Sequence, residues 1–166
     1  LSNNFDLVIG NVPFGRFAPY DPQFRSYNSW NLHNYFIAKA LDLLKNGGHL
    51  VVLTSSSTMD QPGSMANILM QKAGVVEAYR LPKNTFSGTE VVADILIIKK
   101  GFTEDLSGNL KFVETFDNTG TVEINSYFAK HPEHIFGILS KTGRMYGKTD
   151  TTTVLPGEKS LSEYFA

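Results

Sequence analysis

The chain has 166 residues, is 42% hydrophobic, and carries a net charge of −1 with no cysteine. That is enough apolar content for one cored domain, and it excludes disulfides and zinc-thiolate sites. The near-neutral balance argues against binding nucleic acid by bulk charge, and no apolar run is long enough to span a bilayer. A cytoplasmic location is the expectation. Phe5-Asp6-Leu7-Val8-Ile9 is a near-continuous apolar run closed by Gly10, which predicts a buried, central, parallel strand. Asn11-Val12-Pro13-Phe14-Gly15 follows as a tight turn at the strand's carboxyl end, the end where open α/β sheets bind ligands. Asn and Pro are common turn residues, so an ordinary surface turn is the alternative.

Asn11-Val12-Pro13-Phe14 after an apolar strand resembles the Asn-Pro-Pro-Tyr/Phe motif of amino-directed methyltransferases. The resemblance is above all to the N-6 adenine-specific DNA methyltransferases of restriction-modification type. Val12 stands where that family usually has proline, and its carbonyl is retained. The resemblance implies that Asn11, Val12, Pro13 and Phe14 are the catalytic residues. The physical basis is simple. An aromatic amine is a poor nucleophile because its lone pair is delocalised into the ring. Acceptors on both of its hydrogens, here Asn11 Oδ1 and the Val12 carbonyl, draw the nitrogen toward tetrahedral geometry. The amine then attacks a sulfonium methyl group in line, without a strong base. Phe14 would stack on the base once it has left the duplex.

The same resemblance implies S-adenosylmethionine as cofactor, with Asn11 also beside it, and DNA as partner. Such enzymes carry a Gly-rich loop and an acidic residue upstream of the Asn motif. No Gly-rich strand-to-helix loop of that kind stands in this sequence, which starts at Leu1 with a strand only a few residues on. The expectation is the C-terminal half of a catalytic domain, partnered by a missing N-terminal half that supplies most cofactor contacts.

Arg16 to Ser29 has neither helical nor strand period and reads as a long loop. Tyr20, Phe24, Arg25 and, just beyond, Trp30 are candidates to contact the substrate strand by stacking and phosphate pairing. The alternative is rings tucked onto the fold. Asn31 to Lys45 predicts a helix with Asn31 as N-cap, Gly47 as its stop, and Leu32, Tyr35, Phe36, Leu43 and Leu44 on its apolar face. His33, in the first turn, is a candidate to touch a ligand near the pocket, although a helix-start His is more often structural. His49 to Ser55 predicts a second buried strand that ends at the Asn11 edge, with Ser55-Ser56-Ser57 as polar capping. Met59 to Gly63 reads as a loop, and Ser64 to Ala73 as a helix stopped at Gly74.

Val75 to Leu81 and Val91 to Lys100 read as strands joined by Leu81-Pro82-Lys83-Asn84-Thr85-Phe86-Ser87-Gly88-Thr89-Glu90. A turn-rich linker of this kind predicts antiparallel pairing. The block resembles the same methyltransferases a second time, in a Leu-Pro, a Phe a few residues on, and an apolar strand ended by lysines. It makes Asn84 and Phe86 candidates to touch the substrate base, with Phe86 as a plug of the sheet end the alternative. Asp94, inside an apolar strand, predicts a hydrogen-bonded polar group rather than a catalytic acid.

Gly101 to Asn109 reads as a linker, and Leu110 to Phe116 with Thr121 to Tyr127 as a hairpin around Asp117-Asn118-Thr119-Gly120. His131, Glu133 and His134 lack a further ligand, so no metal site is expected. Thr142 to Thr149 lacks phosphate-loop spacing, and Lys141, Arg144 and Lys148 around Tyr146 read as a solvated basic tail, with contact to DNA backbone the alternative. Leu161 to Phe165 starts a last element.

The fold class expected is α/β: a partial Rossmann-like class I methyltransferase sheet, mostly parallel with a closing antiparallel hairpin, over 1–101. A small accessory β/α region follows over 102–166. The function expected is methyl transfer to the exocyclic amine of adenine in DNA, the chain alone being inactive or nearly so. Two rivals share the motif or the fold: ribosomal-RNA guanine or protein-glutamine methyltransferases, and a non-catalytic interaction module.

Overall fold

A computed structural model describes residues 4–15, 17–27, 30–61, 71–87, 89–101, 110–145 and 148–166, with only the backbone at 110 and 145. Four strands form the main sheet: β1 (Phe5–Asn11), β2 (Leu44–Ser55), β3 (Ala73–Leu81) and β4 (Ala93–Lys100). Their order is β1-β2-β4-β3. β1 and β2 are parallel, joined by helix α1 (Leu32–Leu43), while β4 runs antiparallel to both its neighbours. The closing antiparallel pair is therefore the one the linker chemistry predicted. Ile37, Ala38 and Leu41 of α1 are fully buried with Leu50, Val52, Leu96 and Ile98 of the sheet.

β1 departs from expectation. It is parallel, but it is the sheet's edge rather than its centre. Phe5, Leu7 and Ile9, which share one face by strand alternation, are 48%, 52% and 70% exposed. Val8, on the other face, packs against the core. An apolar run predicts two covered faces only if other elements cover them, and among the described residues none covers this one.

α1 ends earlier than predicted. Leu44 caps the helix with its N–H on the Ala40 carbonyl and at once begins β2. Gly47, with φ +82°, turns a bulge where pairing jumps from Phe5↔Leu44 to Leu7↔His49. It is a bulge residue rather than a helix stop. Met59 lies in a single-turn helix, α2 (Ser57–Asp60), rather than in a loop. Most of the helix expected from Ser64 lies outside the described residues. Its expected end does not hold, because Ala73 and Gly74 already belong to β3.

The second part of the chain consists of a hairpin, β5 (Leu110–Glu114) with β6 (Thr121–Asn125), then helix α3 (Ser126–Lys130). A second hairpin, β7 (Ile138–Met145) with β8 (Lys148–Leu155), precedes the single-turn α4 (Leu161–Tyr164). The basic residues Lys141, Arg144 and Lys148 thus stand on paired strands, not on a loose tail. Val122, Ile124, Phe128, Leu139 and Val154 join the same buried cluster as the main sheet. Asn125 fastens this region to α2, donating Nδ2 to the Met59 carbonyl (2.8 Å) and its backbone N–H to Asp60 Oδ1 (3.0 Å).

Arg80 sits at the same junction and is 1% exposed. Its Nε and Nη2 grip Asp94 at 2.8 and 2.9 Å, and Nη1 lies 2.8 Å from Asp60 Oδ2. Its guanidinium carbon stands 4.2 Å above the Phe128 ring. Burial opposes the charge, but the two carboxylates outweigh it and hold the guanidinium protonated more firmly than usual. Asp94 is the hydrogen-bonded polar group expected. No helix among the described residues is long and apolar enough to cross a membrane.

Candidate active site

Parallel pairing aligns Asn11 with Leu53, so the ends of β1 and β2 reach the same edge. Val12 N–H donates to the Leu53 carbonyl (3.1 Å), extending the ladder one residue into the turn. Leu32 N–H then donates to the Gly15 carbonyl (3.1 Å), which ties the turn to the start of α1. Asn31 caps that helix, its Oδ1 accepting from Asn34 N–H (3.2 Å). Asn11, Pro13 and Phe14 are exposed and Val12 is half-buried. Among the described residues, neither Asn11 Oδ1 nor the Val12 carbonyl accepts a hydrogen bond.

A cavity of about 100 Å³ opens beside the turn. Phe14 and Gly15 form one wall, Asn31 and His33 of α1 a second, and Ser55, Ser57 and Gln61 a third, with Val91 closing it. Ser57 Oγ donates to Ser55 Oγ (3.0 Å) and lies 3.5 Å from His33 Nε2. His33 is 7% exposed, and its Nδ1 is buried without a partner. Burial lowers its pKa from the ordinary 6.5, which favours the neutral imidazole. The cavity therefore offers a ring face, neutral hydroxyls and amides, and an imidazole biased to its neutral form, with no charged side chain among the described residues of its lining. That set suits a flat, uncharged heterocycle.

Of the residues expected at the site, Phe14 lines the cavity, while Asn11, Val12 and Pro13 precede it in the same turn and are not part of the lining. The five expected substrate contacts are absent from its lining. Tyr20 projects into solvent at 80% exposure, and Arg25 is exposed on a 3-10 turn. Trp30 is half-buried with its ring 5.0 Å from that of Tyr27. Asn84, at φ +62°, and Phe86 lie in the exposed linker between β3 and β4, and Val91 of that linker reaches the cavity instead. The loop carrying Tyr20 is anchored by Asp21, which accepts from Lys39 Nζ (2.7 Å) and the Tyr35 hydroxyl. Those bonds, Lys39 first, hold the Asp21 carboxyl well below its usual range.

The polar wall is only partly visible in the sequence. Ser55 and Ser57 read there as strand capping, and Gln61 and Val91 carry no local signal. The available signal is the parallel register itself, which brings everything just after β2 to the Asn11 edge. A larger cleft of about 1000 Å³ lies at the opposite end of the sheet. Its cations are engaged: Lys39 with Asp21 and Lys72 with Asp42, both at 2.7 Å, and Lys100 with the Leu44 carbonyl at 2.6 Å.

Residues 1–86, which include the turn and the linker block as far as Phe86, match the model of the Eco57I restriction-modification methylase family. The chain belongs to that family. The chain is 32% identical over 105 residues to the Defense against restriction protein B of Escherichia phage P1, over 60% of its own length and 5% of that protein's. It also resembles the solved M protein of the type I restriction enzyme EcoKI, with 25% identity and a TM-score of 0.52. That likeness covers 62% of this chain and 23% of the M protein. The chain thus spans a small part of the length of both relatives. Membership and fold agree with the resemblance stated from the motifs, and the mixed sheet with its antiparallel closing pair is of the Rossmann-like class.

Proposed function

We propose that this chain is the amine-activating part of a DNA methyltransferase that moves a methyl group from S-adenosylmethionine to the N6 amine of adenine. One observation carries the reading: two neutral acceptors on consecutive residues, Asn11 Oδ1 and the Val12 carbonyl, have no protein hydrogen-bond partner among the described residues and belong to the turn whose Phe14 walls a cavity. An adenine edge-on to the turn gives one amino hydrogen to each acceptor. The nitrogen's lone pair is then directed out of the ring plane, where it would take the methyl group as the sulfonium S–C bond breaks, the displaced amine proton passing to water. Because both acceptors are neutral, they favour the polarised amine without first having to lose a proton. Phe14 covers one face of the base, and His33, Ser55 and Ser57 meet its edge.

The cofactor supplies an electrophilic methyl group on a sulfonium. Asn11, exposed where the free edge of β1 ends, is this chain's contribution to holding it. We assign 1–101 to the methyltransferase sheet and 102–166 to an accessory region whose apolar residues share its core. DNA and further sequence of the whole protein are the partners this reading requires.

The test is methyl transfer by the intact protein to adenine-containing duplex, set against RNA and protein acceptors. Asn11→Ala should lower turnover on duplex by about 100-fold or more, as removal of one acceptor from a preorganised pair does, with thermal stability unchanged. Phe14→Ala should weaken binding of a substrate base by roughly 1–3 kcal/mol. Turnover unaffected by Asn11→Ala would defeat the assignment, and transfer only to RNA or protein would move it to another acceptor.

A further inference from the structure

A second cavity, of about 260 Å³, lies between the β3–β4 linker and the β7–β8 hairpin. Lys83, Glu90 and Val92 line it from the linker. Thr142, Gly143 and Arg144 line it from β7, and Thr151, Thr152 and Thr153 from β8. Three consecutive residues from each hairpin strand face one cavity, although a regular strand turns alternate residues away. The cause is local. Pairing slips on both sides of Gly143, between Ser140↔Thr153 and Gly143↔Thr151 and again before Met145↔Lys148. A Cβ at Gly143 would stand 2.6 Å from the Thr151 carbonyl oxygen, so only glycine lets the strands close there. Such bulges re-aim side chains.

The lining is unlike that of the cavity beside Phe14. It holds two cations, Lys83 and Arg144, with no carboxylate in ion-pairing distance of either among the described residues. Glu90 is the single acid in the lining, and it is exposed. Thr151 Oγ1 is shielded from solvent without a hydrogen-bond partner. Unpaired cations beside hydroxyl donors are the set that grips phosphodiester oxygens.

Position gives the ligand its identity. Glu90 and Val92 face this cavity, while Val91 between them faces the cavity beside Phe14. The two cavities back onto the same short segment, within about 7 Å of backbone. We infer that the groove between the linker and the β7–β8 hairpin holds the sugar–phosphate backbone of the DNA strand whose base sits against Phe14, with Lys83 and Arg144 as its phosphate contacts. This rests on the methyltransferase reading and adds a strand path to it. It also gives the second hairpin a task, since that hairpin supplies most of the groove.

The experiment is binding of a labelled single-stranded oligonucleotide to the intact protein across a salt series. The proteins compared are the wild type, the double variant K83A/R144A, Phe14→Ala, and Lys45→Ala as a charge control. Lys45 pairs with Asp6 near the opposite end of β1. The double variant should bind about 10-fold more weakly at low salt, and its salt slope should be shallower by about 1.4, roughly 0.7 for each phosphate no longer neutralised. Lys45→Ala should change neither. Lys83 is half-buried and Arg144 exposed, so the double variant should melt with the wild type. Binding lost in Phe14→Ala but kept, with its slope, in K83A/R144A overturns this inference alone. It is likewise overturned if inorganic phosphate shifts the wild-type melting temperature while the double variant keeps its oligonucleotide affinity. A wild-type protein that binds no oligonucleotide overturns both readings.

Discussion

The outer face of β1 and the side chain of Arg80 invert what their chemistry suggests. Phe5, Leu7 and Ile9 are apolar and exposed, and Arg80 is charged and sealed at 1% exposure. The difference lies in what each meets. Arg80 reaches two carboxylates and an aromatic face from three separate elements, so its charge is compensated and its stem is packed. Among the described residues, β1 has a hydrogen-bonded neighbour on one side only and no element over its odd-numbered face. Burial is a property of the partners an element finds, and those partners come from distant parts of the chain.

The comparison breaks most sharply at Arg80. Arg80→Ala leaves Asp94, at 0% exposure, as an unpaired buried charge, and should cost about 3–5 kcal/mol in denaturant unfolding. Replacing Arg80 and Asp94 together by apolar residues of similar volume should recover much of that loss. A small effect of Arg80→Ala alone would show the cluster to be wetter than its burial implies.

A pH series sharpens the comparison at a group of intermediate kind. His33 is buried and neutral, with its pKa depressed by desolvation. The native imidazole therefore takes up a proton less readily than the unfolded one. Its contribution is complete above the ordinary value of 6.5 and is lost as pH falls toward the native value. Urea midpoints measured from about pH 8 to pH 5 should fall with pH, and His33→Asn should flatten part of that fall.

The smallest effect belongs to β1. In this chain Ile9→Thr should change stability by no more than about 0.5 kcal/mol, since little apolar area leaves water at that position. The triple change of Phe5, Leu7 and Ile9 to Thr should instead reduce self-association in sedimentation, because a bare apolar edge strand is a template for pairing. A cost of several kcal/mol for Ile9→Thr would mean that the face is covered in solution.

Much of the fold was legible because local chemistry and tertiary outcome agree. Asn31 does cap α1, and the turn-rich block from Leu81 to Glu90 does join two antiparallel strands. The turn at Asn11 was legible for a different reason. An apolar strand run into Asn-x-Pro-Phe is compact in sequence, and its acceptors lie on adjacent residues. The remainder of the cavity was not legible, since His33, Ser57 and Val91 meet only once β1, β2 and β4 are in register. The basic residues near Tyr146 read as a tail because short polar strands with threonines carry no apolar period, and it takes the pairing of β7 with β8 to order them.

Sequence alone determined the strand that ends in an amide and a carbonyl, the capped helix after it, and the antiparallel pairing that closes the sheet. Each depends on residues close enough in the chain to fix one another's backbone angles. Only the tertiary structure decided which faces lie in water, where a guanidinium can be sealed, and which linker residues turn to which cavity. Those outcomes depend on contacts between residues tens of positions apart, and short-range periodicity carries no record of them.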